Sequence, residues 1–196
     1  MIKGRVVYNN QPVGVRSNAV QLELWQSGYQ LFSKVIVYVN QDGSFSAEMF
    51  DGTYKLTRLR GNGPWADNTD TINVTLNGTA NVDVPVDPYF LVKSQTIARA
   101  GTTVNATVNL QRVNTTRALE AVRLYIGQTV ITDLANSAGN IQVAAAAIPD
   151  ITQPVTMSLA VPAALAAKDY VYARIGVKTI GVAELAYGEP VKIMLK

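Results

Sequence analysis

Apolar side chains recur at every second position, in short runs, along nearly the whole chain. In VQLELW, Val20, Leu22 and Leu24 alternate with Gln21, Glu23 and Trp25; in TVNATVNL, Val104, Ala106, Val108 and Leu110 alternate with polar residues. A period of two is the signature of strands buried on one face, since successive side chains leave an extended backbone on opposite sides. The same alternation marks INVTL at 72–76, NVDVPV at 81–86, AVRLYIG at 121–127, NIQVAAAA at 140–147, VTMSLAVP at 155–162 and YVYARIGVK at 170–178. Turn residues separate the runs at short intervals, the pattern of an all-β sandwich.

The turns predict registers. Gln41-Asp42-Gly43 fits a three-residue hairpin loop with Gly43 in the left-handed region, pairing Val37 with Ala47. Asp51-Gly52 reads as a tight turn that places Met49 beside Tyr54 and Glu48 opposite Lys55. A four-residue loop at Ser27–Gln30 puts Leu22 against Val35, Glu23 against Lys34, and Trp25 outward opposite Phe32. All three registers agree on an inner and an outer face, although consecutive strands of a sandwich can also cross between sheets. Asn77-Gly78 turns the chain again, and about seven short strands precede Pro88.

Asp87-Pro88 interrupts the alternation and predicts a short, stiff junction. Two all-β domains follow, residues 1–87 and 88–196. Alanines at 144–147 continue an alternating run and read as strand, while PAALAAKDY has room for one helical turn. At 196 residues and 48% apolar composition the chain is long enough for two cores. No apolar run approaches the roughly 20 residues of a membrane-spanning helix. MIKGRVVYNN lacks the apolar segment of an export signal, so either the protein is cytoplasmic or a signal has been removed.

The chain has neither cysteine nor histidine. That excludes disulfides, thiolate nucleophiles, zinc sites built on Cys and His, and Ser-His-Asp chemistry. No phosphate-binding or dinucleotide-binding glycine motif is present. A pair of carboxylates could still cleave glycosides, but the acids scatter singly over turns and outer faces, so no enzyme, catalytic residue, cofactor or metal is expected. Asp67 and Asp70 lack the dense ligand spacing of a calcium loop. Charge is uneven: seven Lys/Arg against eight Asp/Glu up to Asp87, then ten against six. Arg112, Arg117 and Arg123 come nearest to a basic run, too sparse for a nucleic-acid surface. Four Asn-x-Thr triplets, beginning at Asn73, Asn77, Asn105 and Asn114, have the form of glycosylation acceptors but read more simply as outward-facing strand residues.

Candidate contact residues are aromatic. Trp25 points outward in the predicted register, near Tyr29 and Phe32, and exposed aromatic clusters mark interaction sites; packing against other parts of the chain is the competing role. Trp65 lies in GNGPWADNTD, a loop without hydrophobic period in which Asn62 and Asp67 could supply hydrogen bonds. A tryptophan that plugs the open end of the sandwich is the alternative there.

Three segments of the first half, GRVV with QPV, VNQDGSF, and FDGTYKL, resemble the carboxypeptidase regulatory-like domains, which are transthyretin-like sandwiches. The whole chain is similar to a two-domain family of unknown function from Bacteroidetes, through VQLELWQSGY, GNGPW, VPVDPYFLV, YVYARIGVKTIG and YGEPVKIML. That resemblance implies a transthyretin-like domain followed by an immunoglobulin-like one. It also implies a lipid anchor at the outer membrane and cell surface, beside glycan importers of the starch-utilisation type. The expected work is therefore to bind polysaccharide or to assist the importer components, with a purely structural spacer as the alternative.

Overall fold

A computed structural model describes residues 1–26 and 33–196. The chain is all-β and forms two sandwiches, in compact units that comprise Met1–Pro88 with Val182–Glu184, and Tyr89–Gly181 with Leu185–Lys196.

The first unit contains β1 (Ile2–Tyr8), β2 (Gln11–Pro12), β3 (Gln21–Gln26), β4 (Lys34–Tyr38), β5 (Ser44–Ala47), β6 (Gly52–Arg58), β7 (Ile72–Leu76), β8 (Ala80–Asn81) and β9 (Val84–Pro85). One sheet runs β4-β3-β6-β7, wholly antiparallel; the other is centred on β1, with β2 and β5 antiparallel to it and β8 and β9 parallel. Alternation decides what is buried. Leu22, Leu24, Val37, Tyr54, Leu56, Val74 and Leu76 from one sheet, and Ile2, Val6, Phe45 and Val84 from the other, are all almost fully buried.

Two predicted ladders are absent. The 41–43 turn forms, with Gly43 at φ +83° and the Asn40 amide donating to Ser44 O at 2.8 Å. It joins strands of different sheets, however: β4 pairs with β3, while β5 pairs with β1. Asp51-Gly52 likewise carries the chain from β5 back to the other sheet, so Met49–Tyr54 and Glu48–Lys55 are not cross-strand pairs. Lys55 lies opposite Trp25 and Asn73 instead. The reason is burial: Val37 and Phe45 bury their side chains from two facing sheets at once, which a hairpin within one sheet cannot do. The β3–β4 ladder does form, shifted by two residues from the predicted register, with Leu22 opposite Val37, Leu24 opposite Val35 and Trp25 opposite Lys34. A two-residue slip keeps each side chain on its predicted face, but Val35, expected inside, is 42% exposed on edge strand β4, where no further strand covers it. Tyr29 and Phe32 lie outside the described residues.

The second unit contains β10 (Phe90–Ala100), β11 (Thr103–Arg112), β12 (Leu119–Gly127), β13 (Gly139–Ala144), β14 (Val155–Ala160), β15 (Tyr170–Thr179), β16 (Ala186–Tyr187) and β17 (Val191–Met194). Its sheets are β10-β11-β14 and β13-β12-β15, with β16 and β17 pairing successive parts of β15. Val104, Ala106, Val108, Val122, Leu124, Val171, Ile175 and Val177 are buried between them. The predicted strand through 144–147 ends at Ala144; residues 145–147 form a 3-10 turn closed by the Ile148 amide on Ala145 O at 2.9 Å. Alanine favours helical backbone and presents too little side chain to hold a pleated face. PAALAAKDY contains the expected turn, at Ala163–Leu165.

Candidate functional site: the outer face around Trp25

Because Leu22 and Leu24 are buried, Gln21, Glu23 and Trp25 leave β3 on the opposite, outer face. The register builds the rest. Lys34 of β4 and Lys55 of β6 stand on either side of Trp25, with Asn73 of β7 beyond Lys55; Ile36 and Thr57 flank Glu23; Tyr38 lies opposite Gln21. Directly opposed side chains of this kind lie within contact range across a sheet. Ile36 and Tyr38, on edge strand β4, are 44% and 47% exposed. Trp25 is half-buried. Lys34 pairs with Glu23 Oε1, and Thr57 Oγ1 reaches Glu23 Oε2 at 3.5 Å. Lys55 makes no salt bridge among the described residues. The face therefore combines an indole, an apolar margin and a border of ammonium, hydroxyl and amide groups. Among the described residues it holds no pair of carboxylates poised across a cleft: Glu23 is the one acid in the register around Trp25, and it is bonded to Lys34.

Trp65 meets the opposite fate. It is 5% exposed, and its backbone bridges to Pro88 while the Ala66 amide donates to Asp87 O at 2.9 Å. Gly63 makes the packing possible, since a Cβ there would lie 2.1 Å from Trp65 Cε2. Asn62 is not free for a ligand either: its Oδ1 accepts from the Gln21 amide at 2.6 Å and its Nδ2 donates to Ala19 O at 3.1 Å. Asp67 Oδ1 accepts from the Gly61 amide at 2.7 Å, and Oδ2 lies 3.8 Å from Arg60 Nε. The loop read as a second contact region is thus a structural plug. Of its glycines, Gly63 serves this close approach, while Gly61 takes the left-handed backbone at φ +66° with open space around it.

Alternation alone hides the buried polar groups. Arg58 is 6% exposed; Nε donates to Pro85 O at 2.9 Å and Nη1 to Asp70 O at 3.2 Å, and burial lowers its pKa against the opposing pull of the Asp70 charge. In the second unit, Arg174 and Asp133 are fully buried with Tyr125, beside Tyr187 at 5% exposure. The Arg174 guanidinium sits 4.5 Å from the Tyr187 ring centroid and donates to Gly188 O at 2.8 Å. Asp133 Oδ1 accepts from the Ala135 and Asn136 amides, both at 2.9 Å, folding residues 133–136 back on themselves. The Leu134 amide donates to Tyr187 Oη at 3.3 Å. Burial raises the pKa of both phenols, so each stays protonated well above neutrality. These contacts tie the segment after β12 to the outer face of β15 and β16. The sequence signals were Arg174 at mid-strand in YVYARIGVK and the turn-forming TDLAN, neither of which points to a ligand.

Two grooves open on the units. One, of about 610 Å³, is lined on the first unit by Lys3, Arg5, Ser44, Ser46, Asn81 and Asp83 among others. The second, of about 500 Å³, is lined on the second unit by Lys93, Ser94, Asn109, Leu110, Arg112, Ile151 and Thr152.

Comparison with known proteins places this geometry. Two solved structures match over essentially their whole lengths. A DUF3823 family protein from Bacteroides ovatus ATCC 8483 is 34% identical, with a TM-score of 0.92, over 100% of this chain and 98% of its own. Another from Parabacteroides merdae ATCC 43184 is 31% identical, with a TM-score of 0.90, over 98% and 96%. A third structure, a candidate carbohydrate binding protein from Bacteroides uniformis ATCC 8492, shares the fold at 19% identity and a TM-score of 0.79, covering 99% and 98%. No curated protein matches the chain. The DUF3823 N-terminal domain, of a protein of unknown function, matches residues 1–87, and the DUF3823 C-terminal domain of unknown function matches residues 90–192. The chain belongs to the two-domain DUF3823 family.

Proposed function

We propose that this chain is a non-catalytic carbohydrate-binding protein that holds polysaccharide on the outer face around Trp25. The observation that carries the reading is the placement of a half-buried indole between Lys34 and Lys55, with Ile36 and Tyr38 exposed beside it. The C–H face of a pyranose stacks on such a ring, while ammonium, hydroxyl and amide groups at its border bond the sugar hydroxyls. The B. uniformis structure of the same fold, described as a candidate carbohydrate binding protein, supports the same direction. The family resemblance extends the proposal to a place: a lipid-anchored protein at the outer-membrane surface that assists a glycan importer. Labelling the native protein with a radioactive fatty acid, and digesting intact cells with protease, tests that placement.

Affinity electrophoresis in gels containing plant and host glycans tests the binding. Retardation by at least one glycan, lost in Trp25→Ala, is expected. A second reading, a spacer that touches no sugar, draws support from the burial of Trp65 and the internal bonding of Asn62. Unaltered migration in every glycan would favour it and remove the first.

A further inference from the structure

The groove on the second unit differs from that on the first in its charge. The first, lined by Lys3, Arg5 and Asp83, contains an acid, and that acid pairs with Arg5 at 3.1 Å. The second groove is lined by two cations, Lys93 and Arg112, and by no acid.

The backbone sets these cations up. Between Val92, opposite Leu110, and Ser94, opposite Asn109, the β10–β11 ladder shifts register, so Lys93 is an extra residue in a bulge. Bulges re-aim side chains and recur beside binding sites. Arg112 is anchored on one side, its Nη2 donating to Thr115 O at 3.1 Å and Arg117 O at 3.4 Å. Its Nε and Nη1 have no acceptor among the described residues, and Lys93 has no anionic partner among them. Asp150, the nearest acid in sequence to the lining residues, directs Oδ1 to the Thr152 amide at 2.9 Å and hydroxyl at 2.7 Å, which lowers its pKa.

The remaining lining groups indicate more than a bare anion. Asn109 Nδ2 donates to Ser94 Oγ at 2.9 Å, which leaves the amide oxygen and the serine hydroxyl proton to face a ligand. Ile151 adds apolar surface of the kind that meets the C–H face of a sugar ring, while Leu110, 7% exposed, belongs to the core beneath it. The volume lies within the roughly 300–1,000 Å³ of small-molecule sites. We infer that this groove binds an acidic saccharide, with the carboxylate of a uronic acid held between Lys93 and Arg112 and the ring hydroxyls met by Ser94, Asn109 and Thr152. The site is built from residues of the second unit alone, and the inference does not rest on the Trp25 reading.

The test is calorimetric titration of the full chain with an oligogalacturonide and, in parallel, with a neutral galactose oligomer of equal length. The expected result is measurable binding of the acidic oligomer, at least about tenfold tighter than the neutral one. Lys93→Gln, at an exposed residue with no internal bond among the described residues, weakens it about tenfold, while Trp25→Ala leaves it unchanged. No binding of the acidic oligomer, equal affinity for the two oligomers, or binding lost in Trp25→Ala yet unaffected by Lys93→Gln would each overturn the inference. Failure of the Trp25 reading shows separately, as unaltered electrophoretic migration of the parent protein in neutral glycans.

Discussion

Trp25 and Trp65 are the chain's two tryptophans, and they lie in the same unit, yet they meet solvent in opposite ways. Trp25 sits in a regular strand whose neighbours Leu22 and Leu24 are buried, so parity places it on the outer face. Trp65 sits in a loop that has no period, among glycines and polar residues, and is nonetheless 5% exposed. The contrast teaches that position in a strand predicts direction, whereas loop composition does not. A loop tryptophan can be the larger structural element of the two.

Mutation of the two indoles should therefore separate them. Trp65→Ala is expected to destabilise the first unit by about 3–5 kcal/mol, the cost of emptying a buried aromatic site. Trp25→Ala should cost about 1–2 kcal/mol, because its ring already meets water on one side. Urea unfolding of both variants checks this, and equal losses would break the comparison. Asn62→Ala should cost about 1–3 kcal/mol, since it leaves the Gln21 amide without its side-chain acceptor. An Asn62 variant of parental stability would mean that the loop is not tied to β3 through this side chain. The smallest effect is expected for Lys34→Ala. Its pair with Glu23 lies at the surface, the lysine side chain 41% exposed, and such pairs contribute about 0–1 kcal/mol. A larger loss in thermal unfolding would show that the ion pair organises the Trp25 face rather than bordering it.

The strands of this protein were legible because each carries its own record of burial. Val104, Ala106, Val108 and Leu110 announce a strand and its inner face within eight residues. The outward direction of Trp25 was legible for the same reason, even though the predicted partner was two residues away from the observed one. The turn at Gln41–Gly43 was also readable, since a left-handed residue there favours glycine. Which strands that turn joins was not. A tight turn has the same sequence whether it closes a ladder or crosses between sheets, and only the packing of Val37 and Phe45 into one core distinguishes the two. The groove of Lys93 and Arg112 was equally hidden, because it depends on a bulge and on residues some 60 positions apart.

By itself, then, the order of residues determined an all-β chain, the buried side of strands such as β3, β7 and β11, and the absence of cysteine and histidine chemistry. These are local properties, set by the two-residue repeat of the strand and by the inventory of side chains. Alternation did not decide β12 and β15, buried on both faces, or β13, buried on neither. Tertiary structure decided the pairing of strands, the burial of Trp65 and Arg174, and the gathering of charges into a groove. Those outcomes require segments distant in sequence to compete for the same partner edge and the same interior volume, and no local pattern records the winner.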